Sequence, residues 1–310
     1  MISSILAQRW ELSIAGGVPP WSKTVVNEPV IEVRDLVKRF GDQTVLNAVN
    51  LEIYPGETVV VMGCSGCGKS TLLRHMIGSL IPDAGYVKLF GQNLADLNED
   101  GLNEIRKKFG ILFQSGALFN SMTVAENVAL PLQEHTVLDR NIIAIQVKIK
   151  LELVGLREHA SKYPAQISGG MKKRAGLARA LSLDPKILFY DEPSAGLDPV
   201  TSAEIDRLII DLSKKLHVTS VVVTHEMDTA FRVADRMALL EGGKMLMVDG
   251  KAAFERLRDY PDKGRAELDD GQLTIRQFVR GDAEGPITRR KAAGNYADDL
   301  LGEVEPTRKV

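Results

Sequence analysis

The chain is 310 residues long and 44% hydrophobic, enough to bury a sizeable core as one large domain with appendages or two modest ones, which excludes a disordered or fibrous class. Lys plus Arg number 39 against 41 Asp plus Glu, a formal net charge of −2, so the polycationic footprint of duplex binding is absent and no nucleic-acid partner is expected. The only cysteines, Cys64 and Cys67, share one loop, which excludes a disulfide-stapled secreted fold and favours a reducing, cytoplasmic compartment.

Residues 1–27 carry isolated hydrophobics, with Trp10 and Trp21, but no continuous apolar stretch. Nowhere do about 18 apolar residues run unbroken, so neither a secretory signal nor a membrane span is expected. Pro29 to Leu36 alternate as a strand does, and Ala48 to Tyr54 repeat that period before the turn Pro55-Gly56-Glu57. A small antiparallel sheet should therefore precede the apolar run Thr58-Val59-Val60-Val61-Met62. After that run comes Gly63-Cys64-Ser65-Gly66-Cys67-Gly68-Lys69-Ser70-Thr71, and then Leu72-Leu73-Arg74-His75-Met76-Ile77. This is strand, glycine turn, helix, the setting of a phosphate-binding loop rather than of a chance glycine-rich turn. Gly63, Gly66 and Gly68 let successive N–H groups converge on one concavity, and the helix beginning near Lys69 adds roughly half a positive charge. Lys69 is expected to reach the terminal phosphates of a nucleotide, and the Ser70 hydroxyl to ligate the accompanying Mg²⁺.

Gly85 to Gly91 and Gly110 to Phe113 read as further strands, and Asn141 to Leu153 as a helix with Ile142, Ile145, Ile149 and Leu153 at helical spacing. Lys172, Lys173 and Arg174 read as a solvated helix face. Lys186 to Tyr190 and Thr219 to Val223 are strands of the buried parallel type, separated by a helix over Thr201 to Leu216, so the core is α/β. Beyond Gly250 the pattern weakens to a helix over Lys251 to Leu257, a charged turn-rich stretch from Asp259 to Asp270, and an extended or partly disordered tail.

Leu188-Phe189-Tyr190-Asp191-Glu192 delivers two consecutive carboxylates to the C-terminal end of an apolar strand, where open α/β sheets hold their ligands. Asp191 is the candidate Mg²⁺ ligand, direct or through water, and Glu192 the candidate general base. The alternative is two solvated acids at a strand end.

Further along lies Ile167-Ser168-Gly169-Gly170-Met171, followed by Lys172-Lys173-Arg174-Ala175-Gly176-Leu177-Ala178-Arg179-Ala180. This segment resembles the signature helix of ABC ATPases, and the resemblance spans roughly residues 30 to 250. It implies a P-loop ABC nucleotide-binding domain with a RecA-like core, an antiparallel β-subdomain and an α-helical signature subdomain at about 115–180. It also implies ATP and Mg²⁺ as cofactors, and a head-to-tail homodimer in which Ser168, Gly169 and Gly170 meet the ATP of the opposite subunit. Phe40 falls at the adenine-stacking position ahead of Val45. Gln114 is the loop glutamine between subdomains and, by resemblance, a metal and catalytic contact. Ser194-Ala195-Gly196-Leu197-Asp198 is the dimer loop, and His225 the switch histidine at the γ-phosphate. Read from the residues alone, Phe40 could be core packing and His225 a structural residue. The surface around Gln114, with Phe113, Ala117, Leu118 and Phe119, could serve a partner or pack internally.

Met171 in the signature, Phe113 to Phe119 leading into Met122 to Val128, and a tail containing Ile275-Arg276-Gln277-Phe278-Val279 and Gly285-Pro286-Ile287 resemble the Mla/Mce-type lipid-transport ATPases. That narrower resemblance implies phospholipid transport with an MlaE-like integral-membrane permease, an MCE substrate-binding protein and a small regulatory subunit. The chain would then be peripheral on the inner face of the cell membrane. The rivals are an ABC importer or exporter ATPase for another substrate, a non-transport ABC protein and a regulatory ATPase. The expected organisation is an N-terminal extension over 1–27, the ATPase domain over 28–255 and a C-terminal extension over 256–310.

Overall fold

The computed structural model describes residues 28–288; the extension 1–27 and the chain beyond residue 288 lie outside the described residues. Strand β1 (Ile31–Phe40) pairs antiparallel with β2 (Gln43–Ile53) and with β4 (Ala84–Leu89), and β5 (Gln92–Asn93) completes a four-stranded sheet in the order β2-β1-β4-β5. A second sheet of six strands takes β3 (Thr58–Met62), β6 (Phe109–Leu112), β7 (Ile187–Asp191), β8 (Thr219–Val223), β9 (Arg236–Glu241) and β10 (Lys244–Gly250) in the order β10-β9-β3-β8-β7-β6. All its neighbours are parallel except the antiparallel edge β9–β10.

The central strand explains the layering. Every residue of β3 is buried, so the run reads as continuous apolar rather than alternating, as a strand covered on both faces must. Val59 and Val61 enter a core shared with the four-stranded sheet, while Val60 and Met62 enter a second core shared with the helices. The pairs Val61↔Val223 and Asp191↔Val223 set β3, β8 and β7 side by side with their C-terminal ends at one edge.

The helices follow from their caps. Helix α1 (Lys69–Met76) starts from the glycine turn, and α2 (Glu99–Arg106) from an Asn98 cap. Helix α3 (Val124–His135) opens on a reciprocal Thr123/Glu126 capping box, α4 (Arg140–Leu153) on Asp139 and α5 (Gly169–Ala180) on Ser168. Helix α6 (Pro199–Leu216) combines an Asp198 cap with Pro199 in its first turn, and α7 (Met227–Val233) is short. No described helix is long and apolar enough to cross a membrane.

Two sequence expectations are corrected here. On α4 the buried stripe is Ile143, Val147 and Leu151, with Ile142, Ile145 and Ile149 exposed, because two interleaved apolar stripes share the helical period and only one faces α3 and α5. On α5, Lys173 and Arg174 are not a solvated face. Lys173 is only 5% exposed, and Arg174 donates to the Glu204 carboxylate at 2.7 Å and the Val154 carbonyl at 3.4 Å.

The stretch after Gly250 is more ordered than its pattern suggested up to residue 288. Helix α8 (Lys251–Arg258) is followed by α9 (Asp270–Arg280), which opens on an Asp269/Gln272 capping box and closes on Gly281 at φ +72°. Ile275 and Val279 of α9 enter the same core as Phe254 of α8. Arg276 is buried, donating to the Tyr260 carbonyl at 3.1 Å and pairing with Asp262 and Asp282. Phe254 is fully buried, so Phe254→Ala should cost about 3–5 kcal/mol. The check is the urea midpoint at constant m, which should fall relative to the unmutated chain.

Candidate active site

The chain leaves β3 at Met62 and turns through a loop whose geometry only glycine tolerates. Gly63 has φ +156°, and a Cβ there would lie 2.1 Å from the Leu240 carbonyl oxygen. Gly68 has φ +108° and caps α1, where a Cβ would lie 2.8 Å from Leu46 Cδ2. The first turn of α1 contains no acidic side chain, so its N-terminal field is undiminished. Lys69 is buried, and its Nζ donates to the carbonyls of Gly63 at 2.7 Å and Cys64 at 2.9 Å, which holds the ammonium over the loop.

Strand β7 supplies Asp191 as its last residue, and Glu192 follows with φ +48°, a left-handed conformation that costs a non-glycine residue about 1–3 kcal/mol. The surroundings fix that residue at every polar group. Its N–H donates to the Val223 carbonyl at 2.8 Å. Its carboxylate accepts from Thr224 Oγ1 at 3.1 Å, the His225 N–H at 3.4 Å and His225 Nδ1 at 2.9 Å. Its carbonyl accepts from Lys173 Nζ at 2.9 Å and from the Ala195 N–H at 3.3 Å. Burial, and then the charge of Glu192, raise the pKa of Asp191, against the opposing charges of Lys173, Arg74 and Lys69.

A cleft of about 400 Å³ at this edge is lined by Val45, Ser65, Gly66, Gly68, Lys69, Ser70, Thr71, Gln114, Asp191, Glu192 and His225. The phosphate loop, both acids, the loop glutamine and the histidine thus converge from four strand ends. Gly63, Cys64 and Cys67 belong to the same loop but do not line the cleft. Phe40 is 49% exposed, so core packing is not its role, and Lys38 Nζ lies 5.6 Å from its ring centroid. Ser168, Gly169 and Gly170 are absent from the lining. Gly169 and Gly170 face Leu197 and α6: a Cβ on Gly170 would meet Thr201 Cγ2 at 2.5 Å and one on Gly169 would meet Leu197 Cδ2 at 3.5 Å, while Ser168 caps α5 through the Met171 N–H. Among the described residues no cluster of His, Cys, Asp and Glu could hold a metal alone. The hydroxyl of Ser70, the amide oxygen of Gln114 and the Asp191 carboxylate are hard oxygen donors. They suit Mg²⁺, which takes one or two carboxylates with phosphate and water and needs no all-protein cage. Two contributors were not singled out from the sequence: Thr224, whose place directly before His225 at a strand end was the available signal, and Lys173, whose neighbours Lys172 and Arg174 disguised it as surface.

The C-x-x-C spacing resembles thiolate-forming redox loops, but the structure reverses that electrostatics. Burial, with the Glu241 carboxylate beside it, pushes the Cys64 thiol up to about 11, and burial raises Cys67 as well. At pH 7.5 fewer than about one Cys64 in a thousand is thiolate. Maleimide labelling of Cys64 should therefore be slow at pH 7.5 and accelerate steadily as the pH is raised toward 10, read by mass spectrometry of the tryptic peptide. Fast labelling at neutral pH would contradict this environment.

Known proteins resemble this chain over most of its length. The family described as ABC transporter matches residues 46–195. The Haemophilus influenzae "Intermembrane phospholipid transport system ATP-binding protein MlaF" is 38% identical over 276 residues, covering 89% of this chain and all of that protein. The Mycobacterium leprae "Probable ribonucleotide transport ATP-binding protein mkl" is 41% identical over 257 residues, 83% of this chain and 70% of that one. Among solved structures, the dimeric post-hydrolysis state of the ATP-binding cassette MJ0796 bound to ADP and Pi aligns with a TM-score of 0.66 at 32% identity, covering 71% of this chain and 98% of that one. With this likeness over nearly its whole length, the chain belongs to the ABC transporter ATPases, binding and hydrolysing ATP as the family's nucleotide-binding subunit.

Proposed function

We propose that the chain powers a transporter that moves phospholipid between membranes, working as a homodimer on an MlaE-like permease together with an MCE protein and a small regulatory subunit. The observation that carries the lipid reading is the likeness to the Haemophilus influenzae phospholipid-transport protein over that protein's full length. The ribonucleotide reading borne by the name of the mycobacterial relative matches only part of that longer protein and is the alternative. Attachment to the inner face of the membrane would be borrowed from the permease. A cleft of about 470 Å³ lined by Phe113, Arg106, Lys107, Pro131, His135 and Arg179, with Phe113 and Phe119 exposed, supports docking beside Gln114. Co-purification from detergent-solubilised membranes, with mass spectrometry of proteins and lipids, tests this. Recovery of a permease with enriched phospholipid supports the reading, and a nucleotide-transport partner replaces it.

In the mechanism, the loop amides and Lys69 hold the β- and γ-phosphates, and Phe40 and Val45 offer an apolar face to the adenine. Ser70, Gln114 and Asp191 would hold Mg²⁺, whose charge offsets that of the phosphates. Glu192 accepts the proton of the attacking water, with its carboxylate aimed by Thr224 and His225. His225 also approaches the γ-phosphate. Ser168, Gly169 and Gly170, turned away from their own cleft, present the N-terminus of α5 to the ATP of the partner subunit.

Two outcomes separate these roles. Lys69→Ala should weaken nucleotide binding, whereas Glu192→Gln should bind ATP normally and hydrolyse it about 10²–10⁴ times more slowly, accumulating as an ATP-bound dimer. A Glu192→Gln enzyme turning over at the normal rate would remove the base assignment. In a chain whose native cysteines are replaced by serine, Ser168→Cys should crosslink across the dimer to Ser65→Cys only when ATP is present. Crosslinking within a single chain would refute the shared site.

A further inference from the structure

Lys173 is a buried cation for which the reading above has no use. It lies on α5, little more than one turn beyond the Ser168 cap, and is 5% exposed. A lysine in that position must be paired or satisfied to remain there. Its ammonium donates to the backbone carbonyl of Glu192 at 2.9 Å, and the charges facing it are the carboxylates of Asp191, Glu192 and Glu226.

The geometry points to Lys173 as a positioning residue that couples the signature helix to the general base of the same chain. The Glu192 carboxylate is already held from α7's side of the sheet by Thr224 and His225. Its backbone sits at φ +48°, so the carbonyl has to be pinned for the side chain to keep its aim. The Ala195 N–H makes a longer contact of 3.3 Å to that carbonyl, and it comes from the dimer loop on the same strand end. Lys173 alone among the contacts to Glu192 arrives from α5. When the N-terminus of α5 closes on the partner's ATP, the helix carries Lys173 with it, and the Glu192 carbonyl follows. Each site thereby reads the occupancy of the other through one side chain. This coupling rests on the shared-site dimer of the proposed function.

The test uses the full chain with Lys173→Met, Lys173→Gln and Lys173→Arg, measuring ATP affinity with a fluorescent ATP analogue, steady-state kcat and KM, the Hill coefficient for ATP and the melting temperature. Lys173→Met should keep analogue affinity within about twofold and lower kcat by about 10- to 100-fold, the rate equivalent of one charge-assisted hydrogen bond. Its Hill coefficient should fall toward 1. Lys173→Arg, which keeps charge and donors, should recover most of the rate and the cooperativity. If Lys173→Met melts below the assay temperature, Lys173→Gln, a shorter neutral donor, is read in its place and should show an intermediate loss of kcat. Normal kcat and cooperativity in a folded Lys173→Met or Lys173→Gln protein would overturn the coupling. So would a parallel rise in KM and loss of analogue binding, which would make Lys173 part of the binding surface. Failure of the dimer itself reads differently, as an unmutated enzyme with a Hill coefficient of 1 and no ATP-trapped dimer from Glu192→Gln.

Discussion

The register of three adjacent parallel strands governs the functional edge of this molecule. Because β3, β8 and β7 pair without offset at Val61, Val223 and Asp191, the turn after Met62, the Asp191-Glu192 pair and the Thr224-His225 pair all emerge at the same height. A slip of one residue in any of them would turn its side chains to the opposite core and withdraw a functional group from the cleft. The register is protected on both faces of β3 and β8, where every residue is buried. The helices and the smaller sheet are also the two covers that make such a slip costly, beyond the groups that α1 and α5 carry themselves.

The cleft concentrates charge of both signs in a small volume. Lys69, Lys173 and the α1 N-terminus oppose Asp191 and Glu192, and burial together with the neighbouring Glu192 charge raises the cost of ionising Asp191. Such a site is stable only when each group is held by named donors, and the Glu192 contacts show how completely that is done. The left-handed backbone at Glu192 lifts its carboxylate out of the sheet and toward His225.

What could be read from the residues divides along a physical line. The phosphate loop was legible because its need for positive φ and close approach at Gly63 and Gly68 is written in residue type. The apolar run of β3 and the acids at the end of β7 were legible because burial on both faces leaves no polar alternation. The wrong face of α4 was chosen because Ile142-Ile145-Ile149 and Ile143-Val147-Leu151 satisfy the same period, and only the neighbouring helices break the tie. Lys173 was illegible for a related reason: its partner Glu192 lies on another element, so local charge density pointed to solvent. Helix α9 escaped notice because its order depends on Phe254 of α8 and on the buried Arg276 contacts.

The neutral thiols of Cys64 and Cys67 have an electrical consequence. A helix N-terminus and a ring of amides attract a polyphosphate with a field equal to a fraction of one elementary charge, supplemented by a single ammonium. Two thiolates in that ring would outweigh it and turn an anion receptor into an anion repeller. Burial and the nearby Glu241 raise the Cys64 thiol, and burial raises Cys67, so the loop keeps its positive potential into the alkaline range where an ordinary thiol would ionise. In this chain, sulfur stands at two positions of the cradle and adds no opposing charge even in mildly alkaline solution.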